Sequence, residues 1–282
     1  MGFIKKIGII AGAGFAALLL LNACNNDKTE KTSKTYQSPK PEKVTPIINY
    51  TVIAKYPHDK TLYTEGFLFE KQQLFESTGA PEHLPQTFSA FGIVDLKTGK
   101  FDKKVEIDKK IYFGEGILFL KNKIYQLTYL NQVGFIYDPK TYNSLGQFGF
   151  TNKEGWGMTT EGEHLIFSDG TCNLTYMEPD NFKVVKTLPV VENGYGLYNL
   201  NELEYIKGYI YANVWMTNRI VKIDPKTGEV VGELNLDALN NETKTEDPNI
   251  GEMNGIAYDS ISDKILITGK LWPKIYEIQF AH

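Results

Sequence analysis

Two cysteines and four histidines are all the thiol and imidazole chemistry that the 282 residues contain. Cys24 lies at the end of an N-terminal apolar run, so Cys172 has no intramolecular partner and there is no disulfide framework. Cys172 has no histidine near it in sequence and sits in a strand–turn context. That reads as a small packed residue rather than a nucleophile. His58, His83, His164 and His282 are scattered, without the H-x-x-x-H type of spacing found in zinc centres, which argues against a zinc hydrolase. An excess of one charge is also lacking. Lys and Arg total 30 against 34 Asp and Glu, interspersed along the chain, and a net charge of -4 leaves no footprint for nucleic acid or another polyanion.

The N-terminus carries an address. Lys5 and Lys6 precede an apolar run from Ile7 to Leu21, shorter than the ~20 residues a helix needs to span a bilayer. The run ends in Leu21-Asn22-Ala23-Cys24, which resembles the bacterial lipobox: a leucine three positions before, and a small residue just before, the cysteine that is lipidated and becomes N-terminal on cleavage. Residues 1–23 therefore read as a lipoprotein signal peptide and Cys24 as the lipidation site, which anchors the protein to a membrane of the bacterial cell envelope on the periplasmic or surface face. An uncleaved N-terminal helix with a chance cysteine is the alternative. Residues 24–46, rich in Asn, Lys, Thr, Glu, Ser and Pro, bury too little apolar surface to offset ordering and read as a tether. The folded domain is expected over residues 47–282.

That domain is expected to be all-β. In the stretch 199–236, strands at 201–206, 209–215, 219–223 and 230–236 are separated by turns at Lys207-Gly208 and at the Asp-Pro-Lys-Thr-Gly of 224–228. No helix of ordinary length fits there. The opening of this unit recurs as Thr64-Glu65-Gly66-Phe67, Gly114-Glu115-Gly116-Ile117, Gly155-Trp156-Gly157-Met158, Asn201-Glu202-Leu203-Glu204 and Met253-Asn254-Gly255-Ile256. Anchors at 66, 116, 157, 203 and 255 have the period of propeller blades. The fifth copy stops after its third strand, Lys274 to Ile278, and Ile48 to Tyr56 is a spare strand. Pairing the two closes the ring and covers an open edge. The expected fold is a five-bladed β-propeller whose last blade is closed by an N-terminal strand. With 42% hydrophobic and 13% aromatic residues, one such domain has an ample core.

The first strand of each propeller blade lines the central channel, so polar residues at the blade starts converge at one mouth. They are Glu65, Glu115, Trp156, Asn201, Glu202 and Asn254. Tyr63 and Phe113 stand two positions before the two glutamates, and Tyr129, Trp156, Trp215 and Trp272 lie near strand ends. Turn hydrogen bonds or packing explain any one of these equally well; the convergence of several points to a site.

Seven segments resemble one family: Phe-Gly-Glu-Gly at 113–116, Ile-Tyr-Gln-Leu-Thr at 124–128, Gly-Trp-Gly-Met at 155–158, Asn-Leu-Asn-Glu-Leu-Glu at 199–204, Ala-Asn-Val-Trp at 212–215, Asn-Gly-Ile-Ala-Tyr-Asp at 254–259 and Thr-Gly-Lys-Leu-Trp-Pro at 268–273. Over Tyr50 to Phe280 the chain is similar to the plant and bacterial glutaminyl-peptide cyclotransferases, five-bladed propeller enzymes. The resemblance implies conversion of an N-terminal glutamine of a peptide or protein to pyroglutamate with loss of ammonia, by a monomer that needs neither zinc nor another cofactor. It leaves room for a structural calcium ion. Carried over residue by residue, it makes Glu115 the catalytic acid/base, Trp156 and Trp215 the aromatics that enclose substrate, and Asn201 and Lys270 polar groups of the pocket. Phe113 joins the wall, and Tyr63, Glu65 and Tyr129 complete the substrate-binding set.

Three departures stand out. Glu65 replaces the family's usual Gln and Tyr129 its usual Trp, and Ala80 to Phe88 replaces a segment that normally continues through a Ser-Leu-Arg strand. A second carboxylate near Glu115 would raise the pKa of one of the pair. Two other readings stay open: a non-catalytic propeller that holds a peptide end or a sugar, and a calcium-dependent propeller hydrolase or lactonase built on Glu65, Glu115, Asn201 and Asn254.

Overall fold

A computed structural model describes residues 44–282. The expected signal peptide, the expected lipidation site Cys24 and the expected tether up to residue 43 lie outside the described residues. The chain first joins the fold at Thr45, which is buried, and residues 46–48 pair with blade four through Ile48 N to Glu233 O (2.7 Å) and Glu233 N to Pro46 O (2.9 Å).

Strand β1 (Tyr50–Pro57) comes next, and four-stranded blades follow in chain order. Blade one is β2 (Tyr63–Glu70), β3 (Gln73–Gly79), β4 (Ala90–Val94) and β5 (Phe101–Glu106). Blade two is β6 (Gly114–Leu120), β7 (Lys123–Thr128), β8 (Val133–Tyr137) and β9 (Ser144–Gly149). Blade three is β10 (Met158–Thr159), β11 (Leu165–Phe167), β12 (Asn173–Met177) and β13 (Val184–Pro189). A small hairpin, β14 (Val191–Glu192) and β15 (Tyr195–Gly196), stands outside the blades. Blade four is β16 (Leu200–Ile206), β17 (Tyr209–Val214), β18 (Arg219–Ile223) and β19 (Val230–Asn235). After helix α1 (Asp237–Glu246), blade five is β20 (Met253–Asp259), β21 (Lys264–Gly269) and β22 (Lys274–Phe280), with β1 as its outer strand. That pairing is antiparallel, from Tyr50 opposite Phe280 to Pro57 opposite Lys274.

The apolar side chains do not form one central core. They make five clusters, each between two neighbouring blades, as flat sheets packed face to face around an axis require. The cluster that closes the ring sets Phe67, Leu74 and Val94 of blade one against Ala257, Leu266 and Ile275 of blade five. The turns are held by the residues that punctuate the sequence: Asp95, Asp138 and Asp224 each accept, through Oδ1, the backbone N–H two residues on.

The blade-start glycines set how closely the inner strands approach. A Cβ on Gly116 would lie 2.6 Å from Met158 N, and one on Gly157 would lie 2.1 Å from Asn201 O. Only glycine permits that approach. In four of the five inner strands the ladder to the second strand also slips at the blade start, between Thr64 and Gly66, Gly114 and Ile117, Leu200 and Leu203, and Met253 and Ile256. Such bulges re-aim the residues they contain. Those residues are Glu65, Glu115, Asn201 with Glu202, and Asn254 with Gly255.

Candidate active site

Of the re-aimed side chains, Glu65, Glu115 and Asn201 meet in a cavity of about 780 Å³ at one mouth of the channel. Tyr63, Glu65, Phe113, Glu115, Tyr129, Trp156, Asn201, Trp215 and Lys270 all line it, so the structure brings together the whole predicted set. Its deep end is polar and closed. Glu65, Glu115, Asn201 and Lys270 are each no more than 5% exposed, a depth that charged side chains reach only when paired.

Lys270 Nζ lies 2.8 Å from Glu65 Oε1 and 4.6 Å from the centre of the Tyr63 ring. Asn254 Nδ2 donates to Glu65 Oε2 at 3.2 Å and to Thr64 O at 3.0 Å. Asn254 is thus a support behind Glu65 and not part of the cavity wall. Burial drives the Glu65 carboxyl up to about 7 against the pull of Lys270. It raises Glu115 further, well above the usual carboxylate range, with the neighbouring Glu65 carboxylate as the second cause. Burial alone would lower the Lys270 ammonium, but the charge of Glu65 overrides it and Lys270 stays firmly protonated. The two carboxyls titrate as a coupled pair, and since it is Glu65 that faces the ammonium at 2.8 Å, the protonated form is favoured more at Glu115.

Aromatic rings make the walls. Tyr63 meets Phe113 edge-on at 6.2 Å, Phe113 meets Tyr129 at 6.0 Å, and Trp156 meets Trp215 at 5.6 Å. Backbone bonds within and between blades hold the segments that carry them: Tyr129 N to Phe113 O (3.1 Å), Gly155 N to Tyr129 O (2.9 Å), Asn199 N to Gly170 O (2.9 Å) and Trp215 N to Asn199 O (2.8 Å). Glu154, which sequence reasoning missed, accepts the Trp156 indole N–H through Oε2 at 2.8 Å. Its charge and hydrogen-bonding reach also raise the Tyr129 hydroxyl, after burial. One carboxylate therefore orients both walls. The signal available in sequence was an acid two residues before the tryptophan of Gly155-Trp156-Gly157.

Two expectations change. Trp272 does not face the cavity: it is fully buried in the core between blades four and five, and its indole N–H donates to Gly251 O at 3.1 Å. Glu202 points into the channel but serves as a tie, with Oε1 accepting Phe67 N at 3.2 Å and Oε2 accepting Ile256 N at 2.9 Å. Glu204 Oε1 accepts Tyr258 N at 2.8 Å. With those oxygens bound to backbone N–H groups and Glu65 held by Lys270, the channel acids do not fit a calcium ion. Among the described residues no group of three His, Cys, Asp or Glu side chains is placed to hold a metal. The unusual segment 80–88 folds as two turns, Leu84 N to Pro81 O and Thr87 N to Leu84 O (both 3.0 Å), and its Pro81 reaches the cavity rim.

Residues 18–280 match the family described as glutamine cyclotransferase. The chain is similar to the glutaminyl-peptide cyclotransferase of Arabidopsis thaliana, 39% identical over 230 residues that make up 81% of this chain and 70% of that protein. It is also similar to the crystal structure of Myxococcus xanthus glutaminyl cyclase, with a TM-score of 0.74 and 30% identity, covering 83% of this chain and 98% of that one.

Proposed function

The chain belongs to the glutamine cyclotransferase family, and from that premise we propose that it converts the N-terminal glutamine of peptides and proteins to pyroglutamate with release of ammonia, Glu115 carrying the proton. One bond forms, from the α-amine to the γ-carboxamide carbon. One breaks, from that carbon to the amide nitrogen. The amine loses a proton and the departing nitrogen gains one, so a single carboxyl that gives a proton and takes one back completes the cycle.

The observation that carries this reading is the geometry: the buried carboxyl of Glu115 lies in an aromatic-walled cavity that also holds an ammonium, Lys270, paired at 2.8 Å with a second carboxyl, Glu65. The α-amine attacks in its unprotonated form, a minority of about a tenth to a sixth near pH 7 at an unperturbed pKa of ~7.7–8.0. Glu115 then has to act first as an acid. It donates to the leaving nitrogen, and its carboxylate takes the proton that the amine sheds. Lys270 and Asn201 face the carbonyl oxygen as it gains charge, in a dry site where such contacts count most. Phe113, Tyr129, Trp156 and Trp215 hold the glutamine side chain folded on itself, which favours ring closure over reaction with water. The reaction is an acyl transfer within one residue, and every step uses protein groups without zinc. Incubating the purified protein with Gln-initiated peptides should release one ammonia per peptide, with the matching mass loss. No ammonia from any such peptide would leave a binding propeller as the better reading.

The cellular setting belongs to the same proposal: a monomer on a bacterial envelope membrane, held by lipid on Cys24 through a tether that ends where Thr45 joins the domain. The support is the Leu21-Asn22-Ala23-Cys24 motif after a short apolar run. Cys24→Ala should end fatty-acid labelling and signal-peptide cleavage while the domain keeps its melting temperature. Labelling of that variant would reject the anchor.

A further inference from the structure

The cavity has two unlike ends. The acids, Asn201 and Lys270 lie at the buried end, whereas Lys153 and Asn199 at the other end are exposed. A glutamine whose side chain reaches Glu115 must send the rest of its polypeptide out past the exposed end, between the loops of blades three and four. A cavity of about 780 Å³ suits a ligand larger than one amino-acid side chain.

The hairpin β14–β15, which contributes to no blade, leads through Leu197 and Tyr198 directly to Asn199 at that end. Its base is firmly held. Val191 N donates to Gly228 O (2.9 Å), Leu197 N donates to Val190 O (3.0 Å), and Glu192 Oε1 accepts from Thr45 Oγ1 (2.8 Å) and Arg219 (2.6 Å). Yet Tyr195 is 80% exposed and Tyr198 61%. Tyr198 immediately precedes Asn199 of the cavity wall. Its ring and the Cys172 side chain converge over Gly196, where a Cβ would lie 3.2 Å from Cys172 Sγ and 3.6 Å from Tyr198 Cε2. Cys172 in turn follows the rim residue Thr171. A rigid base that presents two exposed aromatic rings beside an open cavity end is unlike the singly scattered surface hydrophobics that need no explanation.

We propose that this hairpin and Tyr198 form a subsite for the second and third residues of the substrate polypeptide, selecting large apolar or aromatic side chains there. The inference rests on the cyclotransferase reading and deepens it. Charge at the rim is the weaker determinant. Glu154 is bound to Trp156 and Asp169 to Asn152 and Thr171, which leaves Lys153 as the rim charge with no side-chain partner, solvated and exposed. An exposed ion contributes little, whereas covering a tyrosine face contributes more.

The test compares the peptides Gln-Phe-Ala and Gln-Gly-Ala, with glutaminamide as the minimal substrate, in the parent protein, Tyr198→Ser and Tyr198→Phe. The parent should favour the Phe peptide over the Gly peptide in kcat/KM by about two- to twelvefold. Tyr198→Ser should bring that ratio towards one, and Tyr198→Phe should keep it. No preference in the parent, or one that Tyr198→Ser leaves intact, overturns the subsite. So does a preference for acidic second residues that Lys153→Gln removes, or a dimer that Tyr198→Ser dissolves. If neither the peptides nor glutaminamide release ammonia, it is the cyclotransferase reading that fails. The subsite is then judged by the same ratio in the affinities of the pyroglutamyl-Phe and pyroglutamyl-Gly peptides, followed by tryptophan fluorescence.

Discussion

Glu65 decides in which form Glu115 waits for substrate. Without that neighbour, a buried carboxyl beside Lys270 would ionise at lower pH and serve as an acid over a narrower range. With Glu65 bound to Lys270 at 2.8 Å, the ammonium is already neutralised and Glu115 keeps its proton. Glu115→Gln preserves shape and burial but has no proton to exchange. Its kcat for a Gln-initiated peptide should fall ~10²–10⁴-fold with the melting temperature unchanged, and turnover at the parent rate would remove Glu115 from the mechanism. Glu65→Gln is subtler. It takes away a negative neighbour, which makes ionising Glu115 easier, and it frees Lys270 to attract the Glu115 carboxylate. Both effects lower the Glu115 pKa. Activity that needs a protonated Glu115 falls off on the alkaline side, so that limb of the kcat profile should move to lower pH while turnover below it persists. A limb that stays in place would mean that Glu65 does not control the proton.

At the level of strands, the closing element carries more than its edge pairing. His58 directly follows β1 and is buried among acceptors, with Nδ1 2.8 Å from Trp272 O and Nε2 2.9 Å from Glu76 Oε2. Burial opposes a charge on the ring, but Glu76 and the carbonyl outweigh it and the His58 pKa is raised. A histidine whose folded pKa exceeds its unfolded value stabilises fully below ~6.5 and loses that contribution as pH rises through the folded value. His58→Ala should therefore destabilise by about 3–5 kcal/mol, the range for removing one partner of a buried pair, and most strongly at acid to neutral pH. Deleting β1 should lower the melting temperature of the whole ring. A truncated protein that melts with the parent would place the closure elsewhere. The sequence shows β1 because a spare apolar strand and a three-stranded last copy imply each other. It shows the acids of the site because Glu-Gly steps repeat at blade spacing. Helix α1 is hidden because only Leu239 and Thr243 of Asp237–Glu246 are buried, too few for a periodic face, and its anchor is a bond of Thr243 Oγ1 with Tyr276 OH (2.7 Å). Trp272 is hidden because its direction is set by Gly251 on another loop, and Glu154 because an acid two residues before a tryptophan does not by itself mark the indole N–H as its partner.

Considered whole, the ring is tied across its axis as well as around its rim. Glu202 on blade four accepts backbone N–H groups of Phe67 on blade one and Ile256 on blade five, and Glu204 accepts that of Tyr258. Three blades therefore depend on two acids at alternate positions of one strand, and losing the bonds of the buried Glu202 would leave the Phe67 and Ile256 N–H groups without their acceptor. Such orphaned donors cost about 1–3 kcal/mol each. The same burial sets a pH dependence. It raises Glu202 well above the usual range, with Glu204 as the second cause, and raises Glu204 to about 8. In the unfolded chain both ionise near ~4.3. The folded state thus binds more protons than the unfolded one between that value and about 8, and stability must fall as pH rises through this window. Thermal melts from pH 5 to 8 should show a declining melting temperature, shallower in Glu204→Gln, which keeps an acceptor for Tyr258 N without the ionisation. A variant that declines as steeply as the parent would show that the pH dependence arises elsewhere, with the His58–Glu76 pair beside the closing strand as the next group to test.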